Sequence, residues 1–179
     1  MLTATACDTH VDQLFDRIRQ LHSLLAEAGV PYRIVGGMAV FLHVFEKDPL
    51  QARLTPNPDV AIERADLTTV VEVGRKAGLD YRDAAGLDML IDAEHPGTRS
   101  AVRLLFVNET VPASLPVRTS EGIWVAPVAD LVRMKLTSYR LKDRVHIQDL
   151  DGVGLIGPEI EAQLPRMLRD RLAEIRASE

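Results

Sequence analysis

The fold is decided by the stretch YRIVGGMAVFLHVF, which spans residues 32–45. Its first four residues include aromatic and β-branched side chains and predict a short strand. Gly36 and Gly37 then mark a turn, and the apolar pattern of residues 38–45 predicts a helix. A glycine turn between a strand and a helix offers free backbone N–H groups at a positive helix end, which is a physical basis for holding phosphate. Paired glycines also serve positive φ or close packing, so both interpretations stay open.

The segments on either side of this stretch alternate between helix and strand. Before it, apolar residues recur at helical spacing over residues 9–28, with Thr9 as the cap and Gly29 as the stop. After it come a loop with three prolines, a strand, and a helix closed by Gly78. The loop is predicted at residues 48–58, the strand at 59–62, the helix at 66–77, and further strands at 81–83, 89–92, 102–107 and 123–125.

The last third of the chain is predicted to be helical, over residues 128–150 and 158–175. The second helix is opened by Pro158 and places Met167 on its apolar face. Strands in the middle with helices before and after indicate an α/β (α+β) class, a mixed sheet flanked by helices. We expect an α/β core over residues 1–126 and a C-terminal helical extension, packed on the core, over residues 127–179.

Composition excludes several classes of function. The 179 residues are 46% hydrophobic, which is enough for a sizeable core, but only 4% aromatic, so no base-stacking surface stands out. The formal net charge of -5 gives no global positive field to attract a phosphate backbone, and nucleic acid is an unlikely partner. Basic residues do cluster at 133–144, but Asp130, Asp143 and Asp149 interrupt them, and mixed charges of this kind are typical of a solvated helix face.

The single cysteine, Cys7, excludes an intrachain disulfide and a cysteine-based zinc site, and fits a reducing compartment. No stretch approaches 18 apolar residues, and the first residues do not form a secretion signal. We therefore expect a cytoplasmic protein without a membrane span. His43 and His146 are expected to be ordinary core or rim residues and His95 a turn residue, because none has a second histidine at helical spacing to share a metal.

Two further segments carry a family resemblance: RLTPNPDVAI at residues 53–62 and VRLLF at residues 102–106. Together with the glycine turn, they resemble the nucleotidyltransferase superfamily, in particular its minimal and abortive-infection-type members, which are often toxin–antitoxin components. In that family a Gly-Gly turn precedes an Asp-x-Asp strand, and a third aspartate lies on a later strand. The three carboxylates hold two Mg²⁺ ions. Residues two apart on a strand share a face, so this spacing allows a metal pair roughly 4 Å apart.

The chain departs from this pattern at two of the three positions. Asp59 matches the first aspartate, but Ala61 and Arg103 stand where the others are expected. A guanidinium about 4 Å from a divalent ion is repelled by on the order of 8 kcal/mol at an effective dielectric near 20, so we expect no ordinary Mg²⁺ site. We predict instead that Arg103 takes the place of the metal and pairs with Asp59. The alternative is that both side chains are partly exposed and merely tolerated.

Other carboxylates are poor substitutes for the missing ligands. Glu63 shares a face with Asp59 but lies roughly 13 Å farther along the strand, at about 3.3 Å per residue. The remaining acidic residues near the sheet are expected to be ordinary surface charges; these are Asp83, Asp88, Asp92 and Glu109.

The stretch IWVAPVADLVRMK, residues 123–135, continues the resemblance. Members of the family follow such a strand with a helix bearing a lysine, then an arginine, a Lys-Asp or Arg-Asp pair and a later aspartate. Here the matching residues are Lys135, Arg140, the pair Lys142-Asp143, and Asp149. The resemblance implies that Lys135 contacts a triphosphate and that Arg140 and Asp143 brace the helix pair. Alternatively, Lys135 snorkels from an amphipathic helix, and Arg140 and Asp143 form a local ion pair. The implied nucleotide-binding set is Gly36, Gly37, Thr55, Lys135 and Arg140.

Three functional hypotheses follow. The first is a degenerate nucleotidyltransferase-like protein that keeps a nucleotide-shaped pocket with weak or no two-metal transfer, because its catalytic residue Asp59 stands alone. The second is an active transferase that modifies a protein, RNA or small molecule, for which Mg²⁺ and a nucleoside triphosphate are needed. The third is an interaction module with a protein partner, as in a toxin–antitoxin-like pair, or with a second copy of the chain.

Overall fold

The computed structural model of the chain describes residues 4–55, 57–94 and 101–178. His95, predicted to lie in a turn, falls outside these residues. The helices are α1 (Ala4–Glu27), α2 (Gly36–Lys47), α3 (Leu67–Lys76), which follows a short 3-10 turn (Arg64–Asp66), α4 (Val128–Ser138), α5 (Leu141–Gly152), α6 (Pro158–Ala162) and α7 (Arg166–Ala177). The strands are β1 (Tyr32–Val35), β2 (Asp59–Ile62), β3 (Leu79–Ala84), β4 (Leu87–Asp92), β5 (Val102–Phe106), β6 (Val117–Arg118) and β7 (Trp124–Val125).

The described strands form one mixed sheet in the order β3-β4-β5-β2-β1-β7-β6. Strand β1 is antiparallel to β2 and parallel to β7, whereas β2 runs parallel to β5. The two central strands β1 and β2 are buried along their whole length, because helices cover the sheet. The mixed α+β architecture predicted from the sequence is confirmed. No described helix is long and apolar enough to cross a membrane.

The predicted elements agree with the structure within a few residues, with four exceptions. Strand β6 was not predicted, since two residues carry too little pattern. Helix α1 begins at Ala4, so Thr9 lies inside the helix and does not cap it. The single helix predicted over 158–175 is wrong: Pro165 divides it because proline has no N–H to donate, and Met167 is 57% exposed rather than in the core.

The helix predicted over 128–150 is also divided, at Tyr139. This residue adopts a left-handed conformation with φ of 51° and separates α4 from α5. Helix α7 holds the break in place, since the guanidinium of Arg171 donates to the carbonyl oxygens of Leu136 and Thr137 and also lies 4.7 Å from the Tyr139 ring centroid. The α4–α5 turn is therefore fixed by a residue that lies more than thirty positions later. The division of the chain into a core and an extension stays a prediction.

Candidate functional site

The glycine turn is shaped by what lies against it. Gly36 has φ of +67°, and a Cβ at this position would lie 2.2 Å from Oδ2 of Asp59. A Cβ on Gly37 would lie 3.0 Å from Cε1 of His146 and 3.1 Å from Oγ1 of Thr55. Backbone conformation and close packing therefore both require glycine here, and the turn brings Asp59 to the first residues of α2.

Asp59 and Arg103 are direct neighbours in the sheet. They are register partners on the parallel strands β2 and β5. Nε of Arg103 donates to Oδ1 of Asp59 at 2.7 Å, and Nη2 lies 2.7 Å from the same oxygen. The Asp59 side chain is 12% exposed and that of Arg103 is 44% exposed. The ion pair predicted between these two side chains is present, with one partner reachable from solvent.

The residues around Asp59 do not fit a pair of Mg²⁺ ions. One carboxylate oxygen already accepts from a guanidinium, and the buried methyl group of Ala61 offers no ligand. Among the described residues, no group of three or more His, Cys, Asp or Glu side chains could hold a metal. Glu109 is paired with Arg64 at 2.6 Å, and Asp88 accepts a hydrogen bond from the Tyr81 hydroxyl. Both carboxylates have partners outside the Asp59 pair.

A cleft of about 450 Å³ opens between α4 and the ends of the interior strands at which Gly36, Asp59 and Arg103 lie. It brings together five of the residues singled out in the sequence, namely Gly36, Asp59, Arg103, Lys135 and Arg140. Gly37 and Thr55 do not line it. Thr55 is buried behind Gly37, on the side of His146. The other lining residues are Leu105, Thr110, Leu131, Arg133, Met134, Thr137 and Ser138.

Asp143 organises the wall of the cleft that α4 and α5 form. Its side chain is 1% exposed and accepts hydrogen bonds from Nζ of Lys135 at 2.8 Å, from Oγ of Ser138 at 2.7 Å and from Nε of Arg140 at 2.7 Å. Burial by itself raises the pKa of this carboxyl, but the hydrogen bonds from Arg140, Lys135 and Ser138 outweigh burial and hold the pKa well below its usual range. The carboxylate therefore stays charged.

The Asp143 contacts correct one sequence prediction. The mixed charges of residues 133–144 were expected to form a solvated face, but Lys135 and Asp143 are buried as an ion pair. The left-handed residue Tyr139 turns α5 back onto α4, and the two charges meet between the helices. Arg140 pairs with Asp143 three residues later, which is the local ion pair given above as the alternative, and its side chain is 75% exposed at the rim of the cleft.

His146 and Asp149 connect α5 to the glycine turn and to the loop before β2. His146 is 8% exposed; burial lowers its pKa to about 4, and the positive charges of Lys135 and Lys142 act in the same direction, so the ring is neutral at pH 7. Its Nδ1 is buried without a hydrogen-bond partner among the described residues. Asp149 pairs with Arg53 of the loop at 2.9 Å. His146 thus lies against Gly37, and Asp149 joins α5 to the loop before β2.

Arg133 lines the cleft although it was not among the site residues predicted from the sequence. Its side chain is exposed on α4, and it has no ion-pair partner among the described residues. Arg133 and Thr137 are four residues apart and share a face of α4, but this spacing does not tell which face lines a cleft. Three guanidinium groups, from β5, α4 and the start of α5, therefore face one cleft that contains a single lining carboxylate.

Comparisons with known proteins support the fold. No family model and no curated protein matches the chain. A solved antigenic nucleotidyltransferase-like protein from Paracoccidioides brasiliensis matches with a TM-score of 0.62 and 17% identity, over 94% of this chain and 89% of that one. The crystal structure of ANT(2")-Ia with adenylyl-2"-tobramycin matches with a TM-score of 0.57 and 12% identity, over 93% and 98%. The solution structure of the antibiotic-resistance factor ANT(2'')-Ia gives 0.50 and 11%, over 90% and 81%. The chain thus has a nucleotidyltransferase-like fold.

Proposed function

We propose that this chain, with its nucleotidyltransferase-like fold, is a degenerate nucleotidyltransferase-like protein. It keeps a nucleotide-shaped pocket and performs weak or no two-metal nucleotidyl transfer. One observation carries the proposal: the Arg103 guanidinium contacts Oδ1 of Asp59 at 2.7 Å, which is where a metal ion would have to bind. Two-metal transfer needs both ions to neutralise the attacking and leaving oxygens, and this pair leaves no carboxylate set to hold them.

The pocket itself supports binding of an anionic small molecule. Its volume, about 450 Å³, lies within the range of small-molecule sites, and guanidinium groups bind phosphate oxygens in a bidentate manner. Arg103, Arg133 and Arg140 supply such groups, and Leu105 and Leu131 supply apolar lining. ANT(2")-Ia, which shares the fold, was crystallised with adenylyl-2"-tobramycin, and this supports a nucleotide-like ligand for the cleft.

A thermal-shift screen tests the proposal. Nucleotides with and without Mg²⁺ are compared, and we expect stabilisation that does not depend on the metal, because a ligand that binds the folded state raises its apparent stability. In a parallel assay we expect no Mg²⁺-dependent transfer from any nucleoside triphosphate. Clear transfer that Asp59→Asn abolishes and the exposed control Asp170→Asn preserves would refute the proposal and support an active transferase.

Two finer points complete the proposal. A protein partner or a homodimer, as in a toxin–antitoxin-like pair, stays the alternative role, and a co-purifying protein or a dimer in solution would support it. The proposed location is the cytoplasm, which fits a chain with one cysteine.

A further inference from the structure

The cations of the cleft differ in how fully they are paired. Lys135 and Arg140 both donate to the buried carboxylate of Asp143. Arg103 directs Nε and Nη2 to one oxygen of Asp59, while Arg133 has no ion-pair partner among the described residues. Arg133 is thus the guanidinium of the cleft without a carboxylate partner among the described residues, and Arg103 is paired only with the lining carboxylate of Asp59. Arg140 is also exposed, but it is anchored on the buried carboxylate that Lys135 and Ser138 share.

The charge balance indicates how much negative charge the cleft accepts. Four cations line it, Asp59 is the one lining carboxylate, and Asp143 pairs with two of the cations from behind. The four cations exceed the two carboxylates by two positive charges. A phosphate monoester carries about -1.5 to -2 at pH 7 and presents three acceptor oxygens, so it matches this difference without a metal.

Neutral side-chain donors contribute little to the cleft. The hydroxyl of Thr137 donates to the Arg133 carbonyl at 2.7 Å, and that of Ser138 donates to Asp143. The Thr110 hydroxyl contacts the Phe106 carbonyl at 3.3 Å. With these hydroxyl protons already engaged, the exposed side-chain donors left for an anion in the cleft are the guanidinium groups.

We propose that the cleft binds the phosphate of a metal-free phosphomonoester through Arg103 and Arg133, and that Asp59 competes with this phosphate for Arg103. The inference rests on the proposed function, because it assumes that the cleft is a ligand site. In a two-metal site an aspartate attracts the phosphate through the metal. Here the Asp59 carboxylate contacts the Arg103 nitrogens that a phosphate would use, and its negative charge repels the phosphate. Removing the charge of Asp59 should therefore strengthen phosphate binding, whereas in a two-metal site it would weaken binding.

The experiment is isothermal titration of the full chain in EDTA with adenosine monophosphate, ribose 5-phosphate and adenosine. We expect both phosphates to bind the wild type and adenosine to bind weakly. Arg133→Gln should weaken phosphate binding by on the order of tenfold, the value of one charge-assisted contact. Asp59→Asn should strengthen it severalfold. The exposed α7 residues provide matched controls, since Arg169→Gln and Asp170→Asn make the same chemical changes outside the cleft.

The outcomes separate this inference from the proposed function. Binding of ribose 5-phosphate as tight as that of adenosine monophosphate supports the inference and indicates a sugar phosphate; tighter binding of adenosine monophosphate supports it and indicates a nucleotide. Weaker phosphate binding in Asp59→Asn, with an unchanged urea midpoint, overturns it. Binding of adenosine alone overturns the inference and leaves the proposed function intact. Binding only of Mg²⁺ with adenosine triphosphate, lost in Asp59→Asn, overturns both.

Discussion

Asp59 lines the cleft, and Asp143 lies behind the wall that α4 and α5 form; both carboxylates are paired with cations, but their settings differ. Asp59, on strand β2, has Arg103 as its ion-pair partner, and that side chain is 44% exposed. Asp143, on helix α5, is 1% exposed and accepts hydrogen bonds from three side chains.

The contrast separates an ion pair that can take part in ligand binding from one that stabilises the fold. An ion pair with one exposed partner contributes little to folding, so the partner can exchange to a ligand at small cost. A buried carboxylate that satisfies several donors cannot exchange, because its loss leaves a cation buried without compensation. The Asp59–Arg103 ion pair is suited to ligand exchange, and the Lys135–Asp143 ion pair between α4 and α5 holds the wall in shape. Four predictions test this division.

The largest effect is expected for Asp143→Asn. The substitution removes the counter-charge from Lys135, whose side chain is 10% exposed, and should lower the free energy of unfolding by about 3 to 5 kcal/mol. Urea denaturation at pH 7 measures it. A loss below about 1 kcal/mol would show that the Asp143 ion pair contributes no more to the free energy of unfolding than the Asp59 ion pair.

The second prediction concerns pH and the wall behind the glycine turn. The pKa of His146 is lowered from 6.5 to about 4 in the folded chain, so below pH 6.5 the unfolded chain binds the extra proton first. The contribution of the neutral His146 ring to the free energy of unfolding is therefore complete above pH 6.5. It is lost as pH falls toward 4, by about 2 to 3 kcal/mol, at 1.36 kcal/mol per pKa unit.

The measurement compares the wild type with His146→Gln by urea denaturation at pH 7 and pH 4.5. The variant should lose less stability over this interval than the wild type. Burial also lowers the pKa of His43, but that residue is present in both proteins and cancels in the difference. Equal losses in the two proteins would contradict a buried, neutral His146.

The third prediction compares two glycines that share φ of +67°. Gly29 has nothing within 4 Å of an added Cβ, whereas at Gly36 the Cβ would meet Asp59. Both alanine variants should lose about 1 kcal/mol for the left-handed backbone. Gly36→Ala should lose a further 1 to 3 kcal/mol, roughly, from overpacking, because the added Cβ meets the Asp59 side chain. Equal melting temperatures of the two variants would show that Asp59 relaxes freely.

The smallest effect on folding is expected for Asp59→Asn. Because the pair with Arg103 is partly exposed, the change in the free energy of unfolding should stay below about 1 kcal/mol and shrink further at high salt. Urea titrations at low and high ionic strength measure both quantities. A loss as large as that of Asp143→Asn would remove the distinction between the two ion pairs.

The strand side of the site could be predicted from the sequence. Asp59 and Arg103 stand where the resembled family has two carboxylates of one site, so the resemblance implies that they are neighbours. Their opposite charges then predict the ion pair that is seen between β2 and β5. The two interpretations of the glycine turn could not be separated in the same way, because the close approach at Gly36 depends on where the Asp59 side chain lies.

The helix side could not be predicted, for a physical reason. Periodicity treats residues 128–150 as one helix, since a tyrosine carries no signal for a left-handed conformation, which non-glycine residues rarely adopt. Without the break at Tyr139, Lys135 and Asp143 do not face each other. The inward ion pair and the position of Arg133 in the cleft therefore depend on tertiary contacts.

The contact between Arg171 and the end of α4 links distant parts of the chain. Its guanidinium holds the carbonyls of Leu136 and Thr137, next to Ser138 at the rim of the cleft. Helix α7 thus works as a clamp on the cavity mouth, although it lines none of it. A force or a bound molecule that lifts this helix would loosen the mouth from a distance, without touching the one carboxylate inside.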